Sequence, residues 1–315
     1  MNIIYTVCNR TNLANALALA DSVSKFHPDD LFFLCWMDSL TLGNLPKGIQ
    51  ILSATDLDKS FVPNNEWFDF EVLAASRPWF ALGILNKNPH CRQITFLAPS
   101  VQLFQPFTKI TEENGIAFLT PHMLKPLPAS SILDDKRILN IGMYHAGSWS
   151  MKRSEQTLTT LEWWAVRTRD RAQFDLCEGM NMDQLWLNYV PVWIPETVKI
   201  AQPGWHFGLH SILAKKLSVS NGNILADEQP LYSVDFAGLT YFDPIWSDHI
   251  GLVPESPVFR DLLEKYRTTI RSFQQYVPAG QQPACGKLPD IKSNRLIRNR
   301  IAKKLRGLTQ YIDQF

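Results

Sequence analysis

Across the first 120 residues, continuous apolar runs alternate with stretches whose apolar residues lie three and four apart. That is the pattern of buried strands joined by crossover helices. Residues 3–8 (Ile-Ile-Tyr-Thr-Val-Cys) read as a first buried strand. Leu13, Ala16, Leu17, Ala20 and Val23 then recur at helical spacing until His27-Pro28 stops the helix. A second strand is expected over 31–37, a short third over 49–52, and a helix over 71–86. Pro78 must kink that helix or mark its true first turn. Residues 94–97 form another apolar strand, which breaks at Pro99 and resumes as a second short strand. The class is α/β, with a Rossmann-like first half.

Residues 140–250 are less regular and richer in Trp, Gly, His and Pro, a texture that builds clefts more often than layers. Helical spacing returns over 257–275 through Phe259, Leu262, Leu263, Tyr266, Ile270 and Phe273. Residues 278–289 hold three prolines and two glycines and read as a linker or loop. Ile297, Ile301, Leu305, Leu308 and Ile312 then fall on one face of a basic helix expected over 290–315. The expected organisation is one domain over 1–277, the linker, and this helical extension.

Composition narrows the function classes. With 315 residues, 45% apolar and 19% charged, the chain can bury a large core. Ten Trp and eighteen Phe fit either an aromatic-rich core or an aromatic-lined cleft. Five scattered cysteines form no C-x-x-C and no Cys/His cluster, so neither a zinc signature nor a disulfide framework is expected. The apolar N-terminal run is too short for a signal-peptide core, and a cytoplasmic location is expected. The net charge of +1 hides a split: 287–306 carries eight basic residues against Asp290, leaving 23 basic and 29 acidic residues elsewhere. An acidic body without a recognisable module argues against nucleic acid as partner. The loop after the first strand, residues 8–13, lacks glycine, and no G-x-G-x-x-G or P-loop occurs, which argues against dehydrogenase and P-loop chemistry.

Five segments, in order over residues 1–275, resemble bacterial GT-A nucleotide-sugar glycosyltransferases of the retaining family 8 type. Tyr5-Thr6-Val7-Cys8-Asn9, with Asn12 beyond it, resembles the nucleotide-binding opening strand and loop. Arg77-Pro78 resembles a helix start whose cation sits beside the donor phosphates. Tyr144-His145-Ala146-Gly147 resembles the Asn-Ala-Gly turn beneath the donor sugar, with His in place of Asn. Asp183-Gln184 resembles the Asp-Gln helix start, and Val234-Asp235-Phe236-Ala237-Gly238 the late His-Phe-Ser-Gly segment. The resemblance implies a GT-A fold with a mixed central sheet flanked by helices. It also implies transfer of a sugar from a nucleotide-diphosphate donor to a glycan or lipid-linked acceptor, in bacterial surface polysaccharide synthesis.

In that family the strand ending Leu-Asp-x-Asp holds a divalent metal; here the frame carries Ala98 and Ser100, and Asp235 stands where a His completes the site. Hard cations want several charged oxygens, so no metal and no other cofactor is expected. Two readings stay open: a metal-independent transferase, or a non-catalytic nucleotide-sugar-binding relative. For the transferase, Asp183 would hold donor-sugar hydroxyls, with N-capping as its plainer role. Gln184 would stabilise the oxocarbenium-like centre electrostatically. Arg77 is either a surface cation or a bidentate phosphate clamp. His145 is either a satisfied core histidine or a donor to the β-phosphate. Trp205-His206-Phe207 and His210 are cleft candidates without assigned chemistry. The basic extension is either simply solvated, packed on the domain through its apolar face, or laid on an anionic membrane at the inner face of the cell membrane.

Overall fold

The computed structural model describes residues 1–62, 64, 66–128, 133, 135–280 and 285–291, and beyond them 294, 297, 298, 301, 304, 305, 308, 311 and 312. Its opening follows the apolar pattern. Strand β1 (Asn2–Cys8), helix α1 (Leu13–Phe26), β2 (Leu31–Trp36) and β3 (Ile49–Ser53) lie where continuous and helical apolar spacing place them. Helix α2 (Asp69–Lys87), β4 (Gln93–Leu97) and β5 (Val101–Leu103) follow. Pro78 lies well inside α2 rather than in its first turn. Pro78 has no amide for the Ala74 carbonyl four residues back, and packing of α2 in the domain outweighs that loss.

After the short α3 (Thr108–Thr111), β6 (Ala117–Pro121) and α4 (Asp135–Ile141) lead into β7 (Tyr144–Lys152) and α5 (Glu155–Thr168). The strands order as β10-β6-β7-β4-β1-β2-β3, with β10 spanning Thr197–Lys199. β1 runs parallel to β2 and β4, whereas β7 runs antiparallel to β4 and β6. The connections diverge from β1, toward β2 on one side and β4 on the other. In an open α/β sheet this is the switch point at which a ligand crevice forms at the carboxyl ends of the strands.

The segment 144–147, expected as a turn, is the start of β7, a central strand of the sheet. Both faces of β7 are covered, so it shows no alternation, and its small polar residues conceal it from an apolar count. The Ser150 hydroxyl bonds Thr95 and Gln93 at 2.7 Å each, which satisfies these buried groups. Trp149, fully buried, packs against Trp164 of α5 with ring centroids 5.4 Å apart. Burying an indole removes about 200 Å² from water, on the order of 5 kcal/mol per ring as an upper bound.

The small strands β8 (Phe174–Asp175) and β9 (Met180–Asn181) and helix α6 (Val190–Trp193) precede β10. The ribbon of β11 (Leu217–Ser220), β12 (Asn223–Ala226) and β13 (Gln229–Pro230) then leads to β14 (Ser233–Asp235) and α7 (Pro257–Phe273). β14 pairs antiparallel with β5, placing Asp235 opposite Val101. A second apolar cluster, with Phe207, Phe236, Phe259 and Tyr266 at its centre, forms behind this pair. Ser256 caps α7 by accepting the Phe259 amide, with Pro257 at the first helical position.

Within the expected linker, Lys287 docks on the domain: its amide donates to the Trp67 carbonyl and its carbonyl accepts the Asp69 amide, each at 2.8 Å. Residues 281–284 lie outside the described residues, as do Lys292, Arg295, Arg300, Lys303 and Arg306 of the extension. Ile297, Ile301, Leu305, Leu308 and Ile312 are each more than half exposed, so this apolar series is not packed on the domain.

Candidate active site

One cleft gathers side chains from β1, α1's entry, α2, the β4–β5 turn, β7, the segment after β9, and 235–246. Val7, Asn12, Arg77, Ala98, Ser100, His145, Gly147, Asp183, Gln184 and Asp235, all singled out in the sequence, line it together. The cleft encloses about 70 Å³. This is far short of the roughly 300–1,000 Å³ of a typical ligand pocket.

Arg77 and Asp183 form the charged floor. Arg77 Nη1 lies 3.0 and 3.1 Å from the two Asp183 oxygens, and the guanidinium also stacks over Phe96 at 5.0 Å. The Tyr5 hydroxyl donates to the Arg77 carbonyl at 2.9 Å, and Trp164 Nε1 donates to the Asp183 carbonyl at 3.0 Å. Burial pushes the Asp183 carboxyl above its ordinary range, and the Arg77 charge opposes that push. Asp183 is therefore paired rather than capping. The helix after it is a short 3₁₀ turn over Leu185–Tyr189, with Gln184 at its cap position. The Gln184 side chain is also committed: its Oε1 accepts the Ala146 amide at 3.1 Å and its Nε2 donates to the Ile141 carbonyl.

The β4–β5 turn meets β14 and β7 on the other wall. The Ala98 amide donates to the Gly147 carbonyl at 2.8 Å, and a Cβ on Gly147 would lie 2.9 Å from the His145 ring. The Ser100 hydroxyl donates to Asp235 Oδ1 at 2.6 Å, and the Ala237 amide donates to the same oxygen at 3.1 Å. Oδ2 faces His145 Nε2 and His206 Nε2, each 3.5 Å away. Ala98 and Ser100 bring no carboxylate to the turn, so the two-aspartate metal frame of the resembled family does not fit there. His145, His206 and Asp235 are instead the residues whose ligand atoms converge, all within 4.8 Å of one another.

Six further residues without a role assigned from the sequence stand at the site. His122, His206 and His210 surround His145, with ring centroids 4.7, 4.4 and 5.2 Å from it, and Trp246 lies parallel to His145 at 6.2 Å. Tyr241 and Asp243 line the cleft; the Asp243 carboxylate accepts the Ile245 and Trp246 amides at 2.8 and 2.7 Å. The high aromatic and histidine content of 203–249 was the available signal, but only the fold brings His122 to it.

Four expected binding residues lie outside the cleft lining. Thr6 and Cys8 are buried in β1, and burial raises the Cys8 thiol pKa. Asn9 closes the first loop: its amide donates to Asn12 Oδ1 at 3.0 Å and its Nδ2 to Asp69 at 3.4 Å. Gly238, at φ 76°, sits where a Cβ would lie 2.5 Å from the Ser247 amide nitrogen, so it packs beneath the 246–247 backbone.

No family model matches the chain. An uncharacterized protein, YfnF of Bacillus subtilis (strain 168), is 24% identical over 247 residues, covering 74% of this chain and 80% of that one. Among solved structures, the galactosyltransferase LgtC in complex with donor and acceptor sugar analogs matches with a TM-score of 0.50 and 13% identity. It covers 89% of this chain and 98% of that one. A glycosyltransferase involved in the glycosylation of the major capsid of PBCV-1 aligns at a TM-score of 0.42 and 10% identity, over 75% and 93% of the two chains. The LgtC match shows the mixed, helix-flanked GT-A sheet expected from the sequence.

The buried imidazoles set an acid limit on the fold. Burial lowers the pKa of His122 to about 4 and of His206 to about 3, and lowers those of His145 and His210 as well. Such groups protonate more readily when unfolded, near 6.5, so the stability they lend above that value drains away as pH falls toward their folded values. Asp235, raised to about 6 by burial, acts oppositely and gains stability as pH falls from 6 toward its unfolded value near 3.8. From pH 7.5 to 5.5, His122 and His206 each cost roughly 1 kcal/mol, and Asp235 offsets about one of them. Urea midpoints should therefore drop over this interval, and His122→Asn should flatten the drop. A midpoint that is level or rises on acidification contradicts the neutral cluster.

Proposed function

We propose that this chain moves a sugar from a nucleotide-diphosphate donor to a glycan or lipid-linked acceptor. The observation that carries the reading is convergence. Ten residues singled out from six separate segments meet in one cleft, beside the strand ends where the sheet changes direction. In the transferase, Val7 and Asn12 would face the nucleoside, and the Arg77 guanidinium would stand beside the diphosphate. Asp183, oriented by Arg77 and held by Trp164, would accept from donor-sugar hydroxyls. Gln184 would hold its carbonyl between the Ala146 amide and the reacting sugar.

A donor of this size requires the cleft to open. Residues 241–246 form one wall and lie outside the central sheet, so they are the wall that would have to move. The internally paired state also favours a second reading, a relative that binds nucleotide sugars without turning them over. Arg77 is spent on Asp183, Gln184 on backbone and Ser100 on Asp235.

Calorimetric titration with a panel of nucleotide sugars, followed by assay of nucleoside-diphosphate release, separates the readings. A transferase binds one donor and releases its diphosphate when acceptor is supplied, whereas binding without release across acceptors supports the second reading. Removing Arg77 alone would strand a buried carboxylate at about 3–5 kcal/mol, so the informative variant is the neutral pair Arg77→Met with Asp183→Asn. That variant should stay folded and bind donor at least tenfold more weakly; unchanged affinity removes Arg77 and Asp183 from the donor site.

The extension fits an enzyme whose acceptor is carried on lipid. Its exposed apolar series alternates with basic residues, the composition of a helix lying in an anionic headgroup layer. No helix among the described residues is long and apolar enough to cross a membrane. Full-length protein should float with phosphatidylglycerol vesicles, and a truncation after Pro289, which keeps the Lys287 contacts, should stay in the supernatant. Equal flotation of the two removes the membrane role.

A further inference from the structure

We propose that His145, His206 and Asp235 form a binding site for one borderline divalent transition cation such as zinc, cobalt or ferrous iron. Two imidazole nitrogens and one carboxylate oxygen suit these ions better than magnesium or calcium, which want more oxygens.

Two of the three ligand separations are close to what a cation would impose, and all three ligand atoms lie within 4.8 Å of one another, so the two histidine rings close in slightly on binding. Bonds of about 2.1 Å at tetrahedral angles set neighbouring ligand atoms about 3.4 Å apart. Asp235 Oδ2 lies 3.5 Å from the Nε2 of each histidine, too long for a good hydrogen bond but apt for a shared ion. Both Nε2 atoms are buried without a hydrogen-bond partner, and His206 Nδ1 shares that condition. Orphaned buried polar atoms cost about 1–3 kcal/mol each, and a cation would satisfy two of them. His206 is also held at φ 50°, a left-handed conformation uncommon outside glycine, while its amide donates to Ser233 Oγ at 2.8 Å. Strain and unmet polar atoms thus fall on one residue, whose ring the backbone aims at Asp235.

The remaining contacts define an outer shell. Ser100 and the Ala237 amide hold Asp235 Oδ1, leaving Oδ2 for the ion. The Gly147 amide donates to His145 Nδ1 at 3.0 Å, which places the ring proton on Nε2. Binding therefore moves that proton to Nδ1 and displaces the Gly147 contact. His145 and Asp235 line the cleft, so open coordination positions face it.

The proposal stands apart from sugar transfer: a protein that binds the cation but no nucleotide sugar leaves this site standing and that function fallen. The test is titration of the apoprotein with Co²⁺ followed by its visible d–d absorption, together with electron paramagnetic resonance of a Cu²⁺-loaded sample. One equivalent of cobalt with low-symmetry bands, and coupling of copper to two imidazole nitrogens, are expected. His206→Asn and Asp235→Asn should each weaken cobalt binding at least tenfold, whereas His210→Asn should leave it within twofold. Absence of stoichiometric binding, copper coupling to other than two nitrogens, or full binding by folded His206→Asn overturns the site. Should the variants not fold, the native protein's stoichiometry and nitrogen count decide alone.

Discussion

The buried Arg77–Asp183 ion pair is the interaction on which the rest of the cleft depends. Its arginine is anchored on β1 through the Tyr5 hydroxyl and on β4 through the Phe96 ring, and its aspartate on α5 through Trp164. Four elements distant in sequence are thereby fixed around two charges. A buried pair of this kind adds little net stability, because desolvation consumes most of the attraction, but breaking it leaves a stranded charge. Its consequence is geometric: it sets where Gln184 begins, and Gln184 in turn clamps the backbone at 141 and 146 beside His145.

The opposite wall follows a different logic. The β5–β14 pairing sets Asp235 beside Ser100, so the hydroxyl donates directly into the carboxylate. Ser100 and Asp235, 135 positions apart, are thus joined by one hydrogen bond. A carboxylate in place of Ser100 would lie against Asp235, and two like charges in a dry site cannot both ionise. A neutral hydroxyl at Ser100 is therefore what lets Asp235 keep its charge there. The result is a wall of imidazoles around Asp235.

Much of the fold was legible in the sequence because its strands β1, β2 and β4 are continuous apolar runs and α1 carries a clean helical stripe. β7 was not, because a strand covered on both faces and built of Gly, Ser and His shows neither alternation nor apolar density. In the site, Arg77, Asp183, Ala98, Ser100 and Asp235 were legible through local motifs, each surviving as a short string. The histidine cluster was only partly so. His122 and His206 are 84 positions apart, and nothing local to either announces that their rings converge on His145. The internal commitment of Arg77 and Gln184 was equally invisible, since residue types reveal what a side chain can bond and not what it has bonded.

A floor of one guanidinium and one carboxylate, a wall of imidazoles and a further wall at 241–246 make a narrow cleft whose polar groups are already placed. The account's central claim is that this cleft receives a nucleotide-diphosphate donor. A crystal structure of the protein soaked with the nucleoside diphosphate that binds best tests it most directly. The diphosphate is expected within hydrogen-bonding distance of Arg77, with 241–246 displaced outward. A diphosphate bound elsewhere, or a cleft still shut at saturating ligand, would contradict it.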